Sequence, residues 1–213
     1  YSTLGVMSAM GINFGTGAAI PYYQDVTMKL SFPQTPIGNI SVFALGGISS
    51  IDLLASDETD TLENLYNNRL DIYDRNRMGV IGINHTYLIN NKSYTRFTLA
   101  ASSLISRDKV DSLSAENGNP VDFYKQDFVQ NKVTANFFYK LKLNSKNNFQ
   151  TGVRLEQTIA NLSDSIIQNP TDAFASLTEF DGSTYLLQPY ISWQHRFNEN
   201  ITLNTGLHWQ YLG

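Results

Sequence analysis

Ser183–Tyr211 reads STYLLQPYISWQHRFNENITLNTGLHWQY, two alternating runs around a tight polar break. In the first run Tyr185, Leu187, Pro189, Ile191, Trp193 and Phe197 share one face, interrupted only by His195. Leu186 apart, the other face carries Gln188, Tyr190, Ser192, Gln194 and Arg196. In the second run Ile201, Leu203, Leu207, Trp209 and Tyr211 oppose Thr202, Asn204, His208 and Gln210. A period of two is strand geometry, because successive side chains leave the backbone on opposite sides. The break at Asn198–Asn200 is near-minimal, so the two runs predict a hairpin with one apolar and one polar face.

Working outward, equally short breaks occur at Pro33–Gly38, Asn90–Lys92 and Ser145–Asn147. Between them lie long polar stretches at Ser56–Asp74, Arg107–Lys125 and Leu162–Gly182. Short and long connections alternate, so one end of every strand pair is tight and the other elaborate. A soluble sandwich has little reason to sort its loops so. An outer-membrane barrel does, with short periplasmic turns and long external loops.

Nine strands are predicted: Ser2–Phe14, Tyr22–Phe32, Ile40–Ala55, Arg75–Ile89, Ser93–Ser106, Gln126–Asn144, Phe149–Ala160, Ser183–Phe197 and Ile201–Leu212. Most exceed the ~9–11 residues with which a tilted strand crosses a bilayer. Soluble strands run nearer ~5–6. The sixth repeats the two-faced pattern, with Val133, Ala135, Phe137, Tyr139, Leu141 and Leu143 opposing Lys132, Thr134, Asn136, Lys140 and Lys142. The fourth sets Ile81, Ile83, Tyr87 and Ile89 on one side, and in the third Gly46 and Gly47 blur the period. The expected fold is therefore all-β, an antiparallel transmembrane β-barrel segment, with residues 1–213 forming a single unit. On that expectation Lys132, Lys140, Lys142, Arg154, Gln188, Gln194 and Arg196 face the lumen. Phe32, Tyr87, Tyr139, Phe149, Trp193 and Phe197 gather near the short turns, and Tyr185, Trp209 and Tyr211 toward the outer end. Two levels of rings are the girdle expected at membrane–water boundaries.

Composition fits this. Hydrophobic residues make up 42% of the 213 and no apolar run reaches the ~20 residues of a spanning helix. Barrel strands hide their lipid face behind alternating polar residues, so a mean hydropathy of −0.24 does not argue for solubility. A net charge of −4 gives no reason to expect a nucleic-acid partner. With no cysteine, disulfides, thiolate catalysis and most structural zinc sites drop out.

Little in the sequence suggests covalent chemistry, and neither an enzyme nor a cofactor is expected. His85, His195 and His208 sit on three strands with no acid or nucleophile at a suggestive spacing, and Ser192 and His195 fall on opposite faces of one strand. Asp57, Glu58 and Asp60, with Glu63, Asp71 and Asp74, offer oxygens for a calcium ion, although the spacing is not that of an EF-hand and a solvated acidic loop is the plainer account. Gly11, Gly15 and Gly17 precede no helix pattern and make no phosphate cradle. The matches to the N-glycosylation sequon, such as Asn84-His85-Thr86, are read as chance.

Pro21-Tyr22-Tyr23-Gln24-Asp25-Val26-Thr27-Met28-Lys29-Leu30-Ser31-Phe32-Pro33, followed by Ile40-Ser41-Val42-Phe43-Ala44-Leu45-Gly46-Gly47-Ile48-Ser49, resembles the barrel portion of TonB-dependent outer-membrane receptors of the Bacteroidota type. Thr205-Gly206-Leu207-His208-Trp209-Gln210-Tyr211 is similar to a later strand of the same barrels. The resemblance implies a barrel of about 22 strands around a plug, on the order of 520 residues at the spacing seen here. On it, the plug and the remaining strands lie outside these residues, and both termini fall inside strand-like runs. It further implies a Gram-negative outer membrane, import of a siderophore, glycan or peptide, and energy delivered by a TonB-type protein acting on the plug. A surface lipoprotein is a further possible partner. Three rivals remain: a passive pore or scaffold subunit of an envelope complex, a barrel enzyme with a rim triad, and a soluble β-sandwich.

Overall fold

The computed structural model describes residues 21–57, 69–168 and 172–213. They form one antiparallel sheet in which each strand pairs with its sequence neighbours: β1 (Tyr22–Thr35), β2 (Gly38–Leu54), β3 (Leu70–Asn90), β4 (Ser93–Leu113), β5 (Pro120–Lys142), β6 (Asn147–Ile166), β7 (Ala175–Arg196) and β8 (Thr202–His208). A short β9 (Tyr211–Leu212) also pairs with β7, and a single 3-10 turn, Ala55–Asp57, follows β2. The predicted strand Ser2–Phe14, the glycines at 11, 15 and 17, and Glu58, Asp60 and Glu63 lie outside the described residues.

The register carries each face across the whole sheet. One row runs Leu30, Val42, Ile83, Leu99, Ala135, Leu155, Leu187, Tyr211. The next row, one residue along, runs Ser31, Ser41, Asn84, Thr98, Asn136, Arg154, Gln188. Neighbouring rows point to opposite sides of a pleated sheet, so the two faces differ sharply in polarity. Among the described residues no second sheet covers either face, and the one buried hydrophobic residue is Ala55. The apolar face is bare: Val26 is 67% exposed, Ile81 57% and Leu207 78%.

The turns are staggered. The apolar row just named lies six residues from the midpoint of the β1–β2 turn, eight from that of β3–β4, ten from β5–β6 and twelve from β7–β8. That is one residue of slip per strand. With ~3.3 Å per residue along a strand and ~4.8 Å between strands, the strands lean about 35° from the perpendicular to the line of turns. A barrel wall has this lean.

Two features differ from the sequence expectation. The second and third long polar stretches are largely strand: β4 continues to Leu113 and β5 begins at Pro120, while β6 reaches Ile166 and β7 begins at Ala175. The connections at that end shrink to 114–119 and 167–174. These extensions lack an apolar face, so their alternation is invisible in sequence. They are held by the backbone ladder and by cross-strand pairs such as Arg107–Asp127 at 2.9 Å and Lys109–Asp122 at 2.8 Å. The second difference is the interruption of the last strand at Trp209–Gln210. The register runs on through it, since Trp209 N–H donates to the Pro189 carbonyl at 3.0 Å and Gly213 exchanges both backbone bonds with Tyr185. Pro189 has no N–H to return to Trp209, so one rung is missing.

The ambiguous third prediction is also resolved. Phe43 and Leu45 lie on the polar face of β2, and Phe43 covers the buried Gly82 opposite it. Both faces of β2 are apolar at mid-strand, which erased the period.

On β8 the bonds to β7 are made by odd-numbered residues. The backbone groups of Thr202, Asn204, Gly206 and His208 point away from β7, along an edge that is unpaired among the described residues.

Candidate functional site: the polar face

All seven residues predicted to face a lumen share the polar face: Lys132, Lys140 and Lys142 on β5, Arg154 on β6, and Gln188, Gln194 and Arg196 on β7. The register adds a group that sequence reasoning missed. Glu156 stands opposite Thr134, and its carboxylate accepts from Lys132 Nζ at 3.0 Å and from Arg154 at 2.6 Å. Thr134 Oγ1 is 3.5 Å away, and the Glu156 side chain is only 10% exposed. One carboxylate thus joins two cations on adjacent strands. Nothing in the local sequence marks Glu156, because pairing it with Lys132 requires the β5–β6 register.

Beside this triad is a recess of about 410 Å³ lined by Thr98, Thr134, Asn136, Arg154, Gln188, Tyr190 and His208. Every lining group can donate or accept a hydrogen bond. The Tyr190 ring lies over Gly152, and a Cβ there would meet its Oη at 2.6 Å. Glycine on the facing strand is what lets the ring lie flat.

The polar face changes sign along its length. Toward the short turns Lys140, Lys142 and Arg196 have no carboxylate within ion-pair reach among the described residues. Toward the other end Asp74 directly opposes Asp108, and Gln126 separates Asp108 from Asp164. Burial and then the Asp74 charge raise the Asp108 carboxyl above its ordinary range. Asp108 and Asp164 each keep one buried carboxylate oxygen without a hydrogen-bond partner.

The predicted acidic cluster is only partly described. Asp57 ends the 3-10 turn, and Asp71 is occupied, accepting from Ser56 N–H at 2.9 Å and Ser56 Oγ at 2.8 Å. Among the described residues no group of three acidic or imidazole side chains is placed to hold a metal ion.

The nine predicted girdle aromatics share the apolar face. Counted along each strand from the midpoint of its short turn, Phe197 is two residues away, Phe32, Tyr87 and Phe149 four, and Tyr139 and Trp193 six. Trp209 is ten away, Tyr211 twelve and Tyr185 fourteen. Near the turns, Phe149 stacks on Trp193 and the His195 ring meets Phe197 edge-on at 4.5 Å. Asn147 Oδ1 accepts from Trp193 Nε1 at 3.0 Å and from His195 Nδ1 at 2.7 Å, and His85 Nε2 is 2.7 Å from the Ile37 carbonyl. Both imidazoles that break the apolar face are therefore hydrogen-bonded. The third, His208, opens into the polar recess.

Neither the protein-family models nor the curated proteins compared with this chain give a match.

Proposed function

We propose that this chain is part of the wall of a β-barrel in a Gram-negative outer membrane, with its polar face lining a solute path. The supporting observation is the bare apolar face: a single-layer sheet exposes Val26, Ile81, Leu155, Ile191 and Leu207 with no protein layer over them among the described residues. In water such a face would drive aggregation. Against acyl chains it is the stable arrangement. The aromatic levels agree in scale. Tyr22 and Phe32 are ten residues apart on one strand, and Tyr185 and Trp193 eight. At a lean of about 35° this is roughly 22–27 Å, near the ~25 Å apolar band of outer-membrane barrels.

Within that setting the protein acts as a TonB-dependent importer of a scarce nutrient. The likeness at residues 21–33 and 40–49 supports this, as does a recess built for hydrogen bonding rather than covalent chemistry. The cations beside the recess favour a solute carrying carboxylate, phosphate or vicinal hydroxyl groups. Spin labels on single cysteines at Ile191 and Leu203 in vesicles should collide with oxygen, and those at Gln194 and Asn204 with a water-soluble relaxant. Identical surroundings for both pairs would remove the membrane assignment. Uptake that stops when the proton gradient is collapsed supports energised import; uptake that continues makes the protein a passive pore.

A further inference from the structure

On the apolar face, β3 to β6 leave a groove of about 510 Å³. Gly79 has no side chain and Ala101 and Ser103 have short ones, so the groove reaches down to the backbone. Ile81 and Val133 form apolar walls, and Asn131 and Gln157 each contribute a carboxamide on the β5–β6 side. Its volume falls within the ~300–1,000 Å³ of small-molecule sites.

A cation stands at one end. Arg77 is two residues from Gly79 on the same face, opposite Ile105, and is exposed. Its cationic neighbours are engaged: Arg75 with Asp52, Arg107 with Asp127, and Lys109 with Asp122. Arg77 has no acidic or aromatic partner among the described residues. It is fourteen residues from its turn midpoint, as are Tyr22 and Tyr185 from theirs, so all three lie at one level. On the membrane reading, which this inference rests on, that level is the headgroup boundary.

We infer that the groove holds one phosphate-bearing membrane lipid, an acyl chain lying along Gly79 and Ala101 and the phosphate on the Arg77 guanidinium. A guanidinium fork matches phosphate oxygens bidentately. A cation without an acidic partner among the described residues, set above a mostly apolar groove, presents the two halves of a phospholipid in the right order.

The test is native mass spectrometry of the full protein in detergent, titrated with phosphatidylglycerol and with diacylglycerol of the same chains. Wild type should retain one phosphatidylglycerol at an affinity roughly tenfold above that for diacylglycerol. Arg77→Gln should remove that preference. Gly79→Leu should remove retention of both lipids. A Cβ at Gly79 meets nothing nearer than the Leu45 carbonyl at 3.9 Å, so the filled variant has room to fold. Equal phosphatidylglycerol retention by all three proteins overturns the site, as does full protection of it by inorganic phosphate alone. Oxygen accessibility of a spin label on the Ile191→Cys protein is measured in parallel in vesicles. If that label reports lipid while the site fails, this inference alone falls; if it reports water, the membrane reading falls with it.

Discussion

Replacing Glu156 with glutamine tests whether the polar face is organised by its charges. The substitution keeps shape and removes one negative charge lying 3.0 Å from Lys132 and 2.6 Å from Arg154. Each charge-assisted hydrogen bond is worth about 1.5–3 kcal/mol when its partners are desolvated. Lys132 is 34% and Arg154 48% exposed at the side chain, so both regain water, and the value per bond falls toward ~1 kcal/mol. Repulsion between the two cations adds to the loss, and we expect about 2–3 kcal/mol in total for Glu156→Gln. Lys132→Met and Arg154→Met should each cost about 1 kcal/mol, because one cation still compensates the carboxylate. Reversible urea unfolding in lipid vesicles, followed by tryptophan emission, gives the three values, and the Lys132–Glu156 double-mutant cycle gives the coupling. If Glu156→Gln lies within 0.5 kcal/mol of wild type, by the range of exposed pairs, the triad is no more than three solvated charges and the argument fails.

Three further outcomes follow from the same geometry. Pro189→Val restores the N–H facing the Trp209 carbonyl and should stabilise the protein by about 0.5–1.5 kcal/mol, with slow exchange of the new amide; a fast amide would mean the rung is not open. Gly152→Val drives a Cβ against both the Phe137 carbonyl and the Tyr190 ring and should cost about 1–3 kcal/mol, with Tyr190 becoming accessible to nitration; unchanged nitration would refute the covering role. Lys109 lowers the Asp122 carboxyl below its ordinary range, and Asp122 raises Lys109 above its own. Asp122 therefore contributes stability above the ordinary aspartate range that is lost as pH falls, and Lys109 contributes stability at neutral pH that is lost as pH rises into the alkaline range. Both groups are about half exposed, so the effect is about 0.3–0.5 kcal/mol, read as local amide exchange near Asp122. It should vanish in Lys109→Met.

The part of the fold legible in sequence is the part where one face of the sheet is apolar and the other polar. In β5 and β7 every second residue is apolar over nine positions, Val133–Leu141 and Tyr185–Trp193, so the two faces came out of the sequence directly, with Lys132 and Lys140 on the polar one. Above that band both faces are polar, and residues such as Arg107 and Asp127 read as loop although they are paired strand. Cross-strand partners were illegible for a different reason. Glu156 finds Lys132, and Asn147 finds Trp193 and His195, only once the register is fixed, and register is set by turns rather than by any single strand. Pro189 is legible as a member of the apolar face, but the rung it removes from the neighbouring strand needs the partner to be known.

The backbone along β8 that has no partner among the described residues has a kinetic consequence. A peptide group stranded in hydrocarbon costs several kcal/mol, and Thr202, Asn204, Gly206 and His208 each present two such groups. A ribbon of eight strands with that margin open would meet a prohibitive barrier on its way into a bilayer. On the proposed membrane placement, zipping of the margin against another strand and burial in the lipid proceed together, so a lesion at Gly206 or Asn204 should delay assembly more than it weakens the finished protein.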